Sequence, residues 1–515
     1  MPSFYIPLSG LDADSTALNT IANNLSNMNT TGFKSQTTTF SDLFYQQIGS
    51  SGSGDEIQAG SGVQVATNTT DFTTGSISSA SSTSDVAIDG AGFFVLDNSG
   101  SQLYTRNGNF QVSSDGTLES SGGRAVMGYS ATNGVVNTSG ALSDITIPNG
   151  TVMAPSATTT FSVTQNLDSS DAVGNTASSP VTVYDSLGQP YSATVNYTKT
   201  GTNEWSYNIT MPDTLTSASK TAAGTTTISY DFGSSGGTLA TVDSGTNLTI
   251  TAPATAGGTA TTALPTFTGK PETVADYVTD LNTALGTAGI TVGAGGVTVS
   301  STAAGVLTIS GTNVSTGGSV IQDPVGANTT GTLTFNSAGN LTSPGADVSG
   351  IAFSGLSDGA ATLNLNWGLF GSTGSSNVSQ TASASTTGTT SQNGYTSGTY
   401  QGFKVDSSGV ITAQFSNSQN ETVGQLALAT VSNEEGLSAQ GSTDYATTNA
   451  SGDAAVGVAG SGGRGAIEDS SLEASNVDIS AEFSDLIVAQ RAFEANSKAV
   501  TTFDTVTQET INMIH

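Results

Sequence analysis

Residues 475–515 read SNVDISAEFSDLIVAQRAFEANSKAVTTFDTVTQETINMIH, and the spacing of their apolar side chains decides how the rest of the chain is organised. Ile479, Leu486, Phe493, Val500 and Ile514 fall on one heptad row, interrupted by the polar Thr507. Phe483 and Ile511 lie on the adjoining row, whose intervening members Gln490, Ser497 and Asp504 are polar. Such a spacing predicts one long helix, capped by Ser475, Asn476 or Asp478 and running to about Met513. Its apolar seam is as narrow as a coiled-coil contact. Arg491 and Lys498, one heptad apart, add a basic stripe.

The opposite end carries a matching signal. Leu11, Leu18 and Leu25 recur every seven residues, and Ile21 and Met28 make a second row. They predict a helix of roughly 20 residues, about 30 Å long. Asp12 and Asp14 sit in its early turns, where negative charge complements the helix dipole. Pro7 and Gly10 blur its start, and Asn29 to Gly32 end it. An amphipathic helix packed on its own domain would give a similar pattern. Two narrow seams at extreme termini, with no helix-rich core between them, favour pairing with each other and then with neighbouring copies.

Between the ends the signals are β. Asp89-Gly90, Asn107-Gly108 and Asp115-Gly116 are tight-turn dipeptides between the apolar runs Val86–Ile88, Phe93–Leu96, Phe110–Val112 and Ala125–Met127. Further runs are Val181–Tyr184, Tyr191–Tyr197, Trp205–Ile209, Leu333–Phe335, Ala361–Phe370, Gly402–Val405, Val410–Phe415 and Leu426–Val431. Residues 216–327 are extreme in Thr, Gly, Ala and Ser and contain one helical island, Pro271–Leu285, with Val274, Val278, Leu281 and Leu285 on a face.

If the end helices pair, all that lies between must leave the pair and return to it. The expected fold is therefore mainly β with paired terminal α-helices. It is a nested multi-domain chain, with a helical coiled-coil inner domain and β-barrel or β-sandwich outer domains. The expected divisions are a terminal helical domain (1–30 and 472–515), a connector (31–70 and 440–471), a first β domain (71–155 and 389–439), a second (156–215 and 328–388) and an inserted outer domain (216–327). Ser50 to Gly54 reads as the most adaptable part of the connector.

Composition narrows function. The chain has 515 residues, 40 acidic and 10 basic, a formal net charge of -30. The basic residues are scattered, so no patch is suited to nucleic acid. There is no cysteine, hence no disulfide or thiol chemistry. No apolar run suggests membrane insertion, and the first ten residues do not read as a cleaved signal peptide. The single histidine is His515, which removes Ser-His-Asp and Cys-His arrangements. Acidic neighbours such as Glu434-Glu435 and Glu468-Asp469 lack the companions of a calcium loop and read as solvated surface. No catalytic residue, cofactor or metal site is expected. A secreted β-rich adhesin would share much of this composition.

Four motifs carry a resemblance. Ala22-Asn23-Asn24-Leu25-Ser26-Asn27-Met28-Asn29-Thr30-Thr31-Gly32-Phe33-Lys34 resembles the N-terminal signature of the flagellar rod and hook axial family. Residues 85–96 and 104–129 agree in order, and Leu472–Asp478 with Ile487–Phe493, including Gln490 and Arg491, resembles the matching C-terminal signature. The large central insertion, and Val181–Gly188, favour the hook branch over the distal rod. The resemblance implies Asn23, Asn24, Asn27, Gly32, Phe33, Lys34, Gln490 and Arg491 as family motif residues. It implies a homo-oligomeric helical polymer, extracellular in the flagellar hook, whose partners are the hook cap, distal rod and hook-filament junction proteins. It also implies passage through the type III export apparatus, which needs no cleaved signal. Subunit packing is expected of Leu11, Leu18, Ile21, Leu25, Met28, Ile479, Phe483, Leu486, Phe493, Val500, Ile511 and Ile514.

Overall fold

The computed structural model describes residues 4–50, 56–215, 217–222, 225–231, 234–235, 238–239, 241–242, 246, 248–253, 260–263, 273–288, 290–293, 296–302, 306–312, 314–317, 320–323, 325–371 and 374–514. His515, the Ile514 side chain and most of the stretch Ser50 to Gly54 lie outside them. Three α-helices occur among the described residues: α1 (Tyr5–Ser26), α2 (Val274–Thr287) and α3 (Ile479–Ile514). The rest is strand and turn. The chain divides into two units, one of residues 1–151 with 399–515, the other of residues 152–398.

In the first unit, strands from the two ends of the sequence share one antiparallel sheet. Its neighbours run Gly398–Val405, Val410–Phe415, Asn420–Thr430, Phe93–Asn98, Ser101–Thr105, Asp444–Ala446 and Ser438–Gly441. Apolar side chains from both halves pack together, among them Ile88, Phe94, Leu96, Ile411, Leu426 and Leu428, all buried. Segment 440–471 departs from its expected connector role. Asp444–Ala446, Ala455–Val458 and Ala466–Asp469 pair with Ser101–Thr105, Asn420–Thr430 and Val86–Asp89. Its short apolar pairs were too brief to stand out as strands. Segment 31–70 is likewise built as strands: Gln36–Asp42 pairs with Val63–Thr70, and Gln46–Ser50 with Glu56–Ala59.

Against this β domain lie α1 and α3, side by side and antiparallel. The Phe4 and Phe503 rings meet edge-on at 6.1 Å near one end, and Asn24 meets Glu482 near the other. Neither Pro7 nor Gly10 breaks α1. Pro7 sits in the first turn, where its missing N–H has no carbonyl to meet. Gly10 lies tight against α3, since a Cβ there would stand 2.6 Å from Asn496 Nδ2. Asp478 caps α3 by accepting from the Ser480 N–H (2.8 Å) and Ala481 N–H (3.2 Å).

The second unit holds two separate cores. One lies between a sheet of Thr176–Tyr184, Pro190–Gly201, Glu204–Thr210, Thr330–Phe335 and Leu341–Ser343 and another containing Val348–Ser354, Leu363–Gly368, Thr160–Asp168, Val378–Thr381 and Thr386–Gln392. Strict alternation in Pro190–Gly201 sends Tyr191, Ala193, Val195 and Tyr197 inward. Both tryptophans are buried here: Trp205 Nε1 donates to Gln380 Oε1 (2.9 Å), and Trp367 stacks on Phe161. The second core gathers Ile228, Tyr230, Ile250, Leu307 and Ile309 around α2. Thr273 caps α2 by accepting from the Asp276 N–H. Tyr277, with Val274, Leu281 and Leu285, fills the buried face, and Val278 is only partly covered.

Candidate functional site where the chain ends meet

The motif residues 22–34 begin in the last turn of α1 and continue past its end, and the residues preceding α3 run beside them. Asn24 is buried and ties three elements together. Its Nδ2 donates to the Gln36 carbonyl and to Glu482 Oε1, both at 2.8 Å, while its Oδ1 accepts from the Gln36 N–H at 3.0 Å. Burial raises the Glu482 carboxyl above its ordinary range, and the Asn24 amide partly counters that. Asn476 is a second clamp. Its Oδ1 accepts from the Ser35 N–H (2.7 Å), and its Nδ2 donates to the Asp71 carbonyl (2.9 Å).

Between these clamps sits a buried charge cluster. Lys34 and Glu473 have no exposed side-chain surface, and Lys34 Nζ donates to Glu473 Oε1 at 2.7 Å and to the Thr73 carbonyl at 2.6 Å. The same carboxylate accepts from the Gly75 N–H (2.8 Å) and approaches Arg106 Nη1 at 3.5 Å. Arg106 also donates to the Gly90 carbonyl (2.9 Å) and lies 5.3 Å over the Phe93 ring. Two cations thus share one anion. Burial lowers the affinity of both Lys34 and Arg106 for their protons, and Glu473 works in the opposite direction. Gly32 belongs to the same junction. Its φ is +67°, its N–H donates to the Glu473 carbonyl (2.8 Å), and a Cβ would fall 2.7 Å from the Arg106 carbonyl carbon.

The remaining motif residues differ in role. Asn27 Nδ2 donates back to the Asn23 carbonyl at 2.9 Å, closing the end of α1. Asn23, Asn27, Phe33 and Lys34 line a cleft of about 400 Å³ with Asn107 and Asp444. Gln490 and Arg491 are exposed on α3, where Arg491 makes a long contact (3.8 Å) with Glu494 in full solvent.

The expected seam is mostly exposed on α3 and half-buried on α1, and Met28 lies just past the end of α1. Leu11, Leu18, Ile21, Leu25, Leu486 and Val500 are half-buried, and Met28, Ile479, Phe483, Phe493 and Ile511 are exposed. What α1 buries is instead a small and polar face: Pro7, Gly10, Ala13, Thr20 and Asn24. Heptad counting also passed over Ile487 and Val488, both exposed on α3. Sequence reasoning missed Glu473, Arg106 and Asn476 as site residues. The available signal was their place inside the motif stretches 104–129 and 472–478, together with the scarcity of basic residues in the chain.

Among the described residues no three His, Cys, Asp or Glu side chains are placed to hold a metal ion. No described helix is long and apolar enough to cross a membrane.

Comparison with known proteins places these features. Family models match in chain order: flagella basal body rod protein over 4–34, the flagellar hook protein FlgE/F/G D1 domain over 87–166, the flagellar basal body protein FlaE D2 domain over 154–310, and the flagellar basal body rod FlgEFG protein C-terminal over 468–513. The joined chain ends and the β domains therefore define an axial subunit of the flagellar rod and hook class. Flagellar hook protein FlgE of Salmonella typhimurium is 30% identical over 99% of this chain and 100% of its own. That of Treponema pallidum is 30% identical over 100% and 99%, and that of Escherichia coli K12 29% over 99% and 100%. The chain belongs to the flagellar hook protein family and is a structural subunit.

Proposed function

We propose that copies of this chain polymerise through the outward faces of α1 and α3, forming a curved flexible tube that transmits torque from the rod to the filament. The observation that carries this is the run of large apolar side chains left exposed on α3: Ile479, Phe483, Ile487, Val488, Phe493 and Ile511. A monomer gains nothing from displaying them, and a neighbouring copy can cover them. The contact joins unlike surfaces, so it propagates as a helix. Leu11, Leu18, Ile21, Leu25 and Met28 supply the α1 side, and Leu486, Val500 and Ile514 complete the α3 side. The nested β domains would lie outside this inner layer. Their weakly charged surfaces suit contacts that exchange as the tube turns.

In this scheme the chain leaves the cell through the type III export apparatus. It assembles beneath a hook cap, with distal rod and hook-filament junction proteins at the tube's two ends. The test is electron microscopy of the purified chain at rising concentration, with Phe493→Asp alongside. Wild type should form tubes, whereas the variant should stay monomeric with unfolding within about 0.5 kcal/mol of wild type, as for a surface change. Normal tubes from the variant would reject the seam.

A further inference from the structure

The second unit contains a buried acid that the assembly scheme does not use. Asp185 follows strand Thr176–Tyr184 and has no accessible surface. Its Oδ1 is fully occupied, accepting from the Leu187 N–H (2.8 Å) and Gln189 N–H (2.9 Å) of its own turn. Its Oδ2 is buried and receives no donor. The side chain facing it is another carboxyl, that of Asp358, from the loop after Val348–Ser354. That loop is brought there independently: the Ala361 N–H donates to Ser186 Oγ (3.1 Å), and the Ser357 N–H to Asp213 Oδ2 (2.8 Å). The other titratable groups facing the pair are the Asp213 carboxyl and the Tyr191 phenol. None of these is a cation.

Two carboxylates cannot satisfy each other, because each offers only acceptors. A buried unpartnered carboxylate oxygen opposite a second carboxyl is satisfied by a proton between them. We propose that Asp185 and Asp358 share one proton, and that this proton latches the 356–361 loop onto the 185–189 turn. Asp185 is then a neutral acid donating to the exposed Asp358. Loss of the proton leaves two like charges in contact and loosens the loop.

The direction of the pH dependence follows. Burial and Asp358 both raise Asp185 above its ordinary range. The folded state therefore holds a proton that the unfolded chain releases near the ordinary aspartate value of about 3.9. The pair's contribution to stability is fully present below that value and falls as pH rises, until the folded-state proton is gone. Within the window the ratio of folded to unfolded changes by up to about tenfold per pH unit.

Both tryptophans of the chain lie in this unit's core, so their fluorescence reports its unfolding. The experiment is urea unfolding of the full chain from pH 4 to pH 9, in chelator and again with calcium chloride. Wild type and Asp185→Asn are compared. The amide keeps the turn's acceptor and donates permanently to Asp358, so the variant should unfold at higher urea at neutral pH, with a flattened pH profile. Asp358→Asn should flatten the profile too, and covers the case in which Asp185→Asn folds poorly. Hydrogen exchange of residues 356–361 should quicken with pH in wild type beyond the intrinsic rate, and not in either variant. Profiles that keep the wild-type slope in both variants would overturn the proposal. So would calcium raising the wild-type midpoint but neither variant's, because the pair would then hold a metal cation.

Discussion

At the scale of single residues, the junction turns on an unequal count of charges. Lys34 and Arg106 both face Glu473, so removing either cation leaves a matched pair, whereas removing Glu473 strands two buried cations. Stranding a buried charge costs about 3–5 kcal/mol. Glu473→Ala should therefore destabilise the first unit by about that much, and Lys34→Met by clearly less. Hydrogen exchange of the Val86–Asp89 and Ala466–Asp469 strands, or proteolysis of the folded chain, reads the difference. Equal losses would mean that Arg106, at 3.5 Å, contributes little to holding the carboxylate. Lys34 was recognisable in the sequence because it closes a motif. Glu473 lies inside the C-terminal motif, but nothing local shows that it is buried or that its partner stands 439 residues away.

Among elements, the helix pair shows what periodicity can and cannot reveal. The apolar rows of α1 and α3 were legible, as was the helical nature of both. Which face each helix gives to the other was not, because the contacts run through Gly10, Asp14 and Asn24 on one side and Glu482 and Asn496 on the other, residues that carry no hydropathy signal. Asn496 Nδ2 donates to Asp14 Oδ2 at 2.8 Å, and a side chain at position 10 would displace that amide. Gly10→Ala should be near neutral, since about 1 kcal/mol of helix propensity offsets the lost hydrogen bond. Gly10→Val adds bulk without that gain and should cost about 1–3 kcal/mol. Helicity at 222 nm, followed through thermal unfolding, separates the two. An unaffected valine variant would show that the helices are not held at this point. The α3 helix also outruns its partner: Phe503 meets Phe4, and the eleven residues beyond it to Ile514 extend roughly 16 Å further. Val506, Ile511 and Met513 are exposed on that extension.

For the whole molecule, the alternation of apolar and polar residues made most strands of both units readable. Strands such as Thr386–Gln392 escaped, since TTGTTSQ has no apolar face and is held by hydroxyl contacts such as Ser162 with Ser391 at 2.8 Å. The 216–327 stretch has its own core around α2, and its entry and exit strands pair directly, Leu215 with Val320 and Asp213 with Gln322. Replacing residues 216–319 with an Asn-Gly turn should thus close a hairpin and leave the tryptophan core intact. Native-like tryptophan emission and tube formation are the expected outcomes; an insoluble product would mean that the two cores fold only together. The Lys34–Glu473 contact has a last consequence, for timing. With contact order this high, the first unit's sheet lacks half its strands until nearly the whole chain has left the ribosome. The first unit thus stays open through most of synthesis, and its two chain ends close on each other only once Glu473 has emerged.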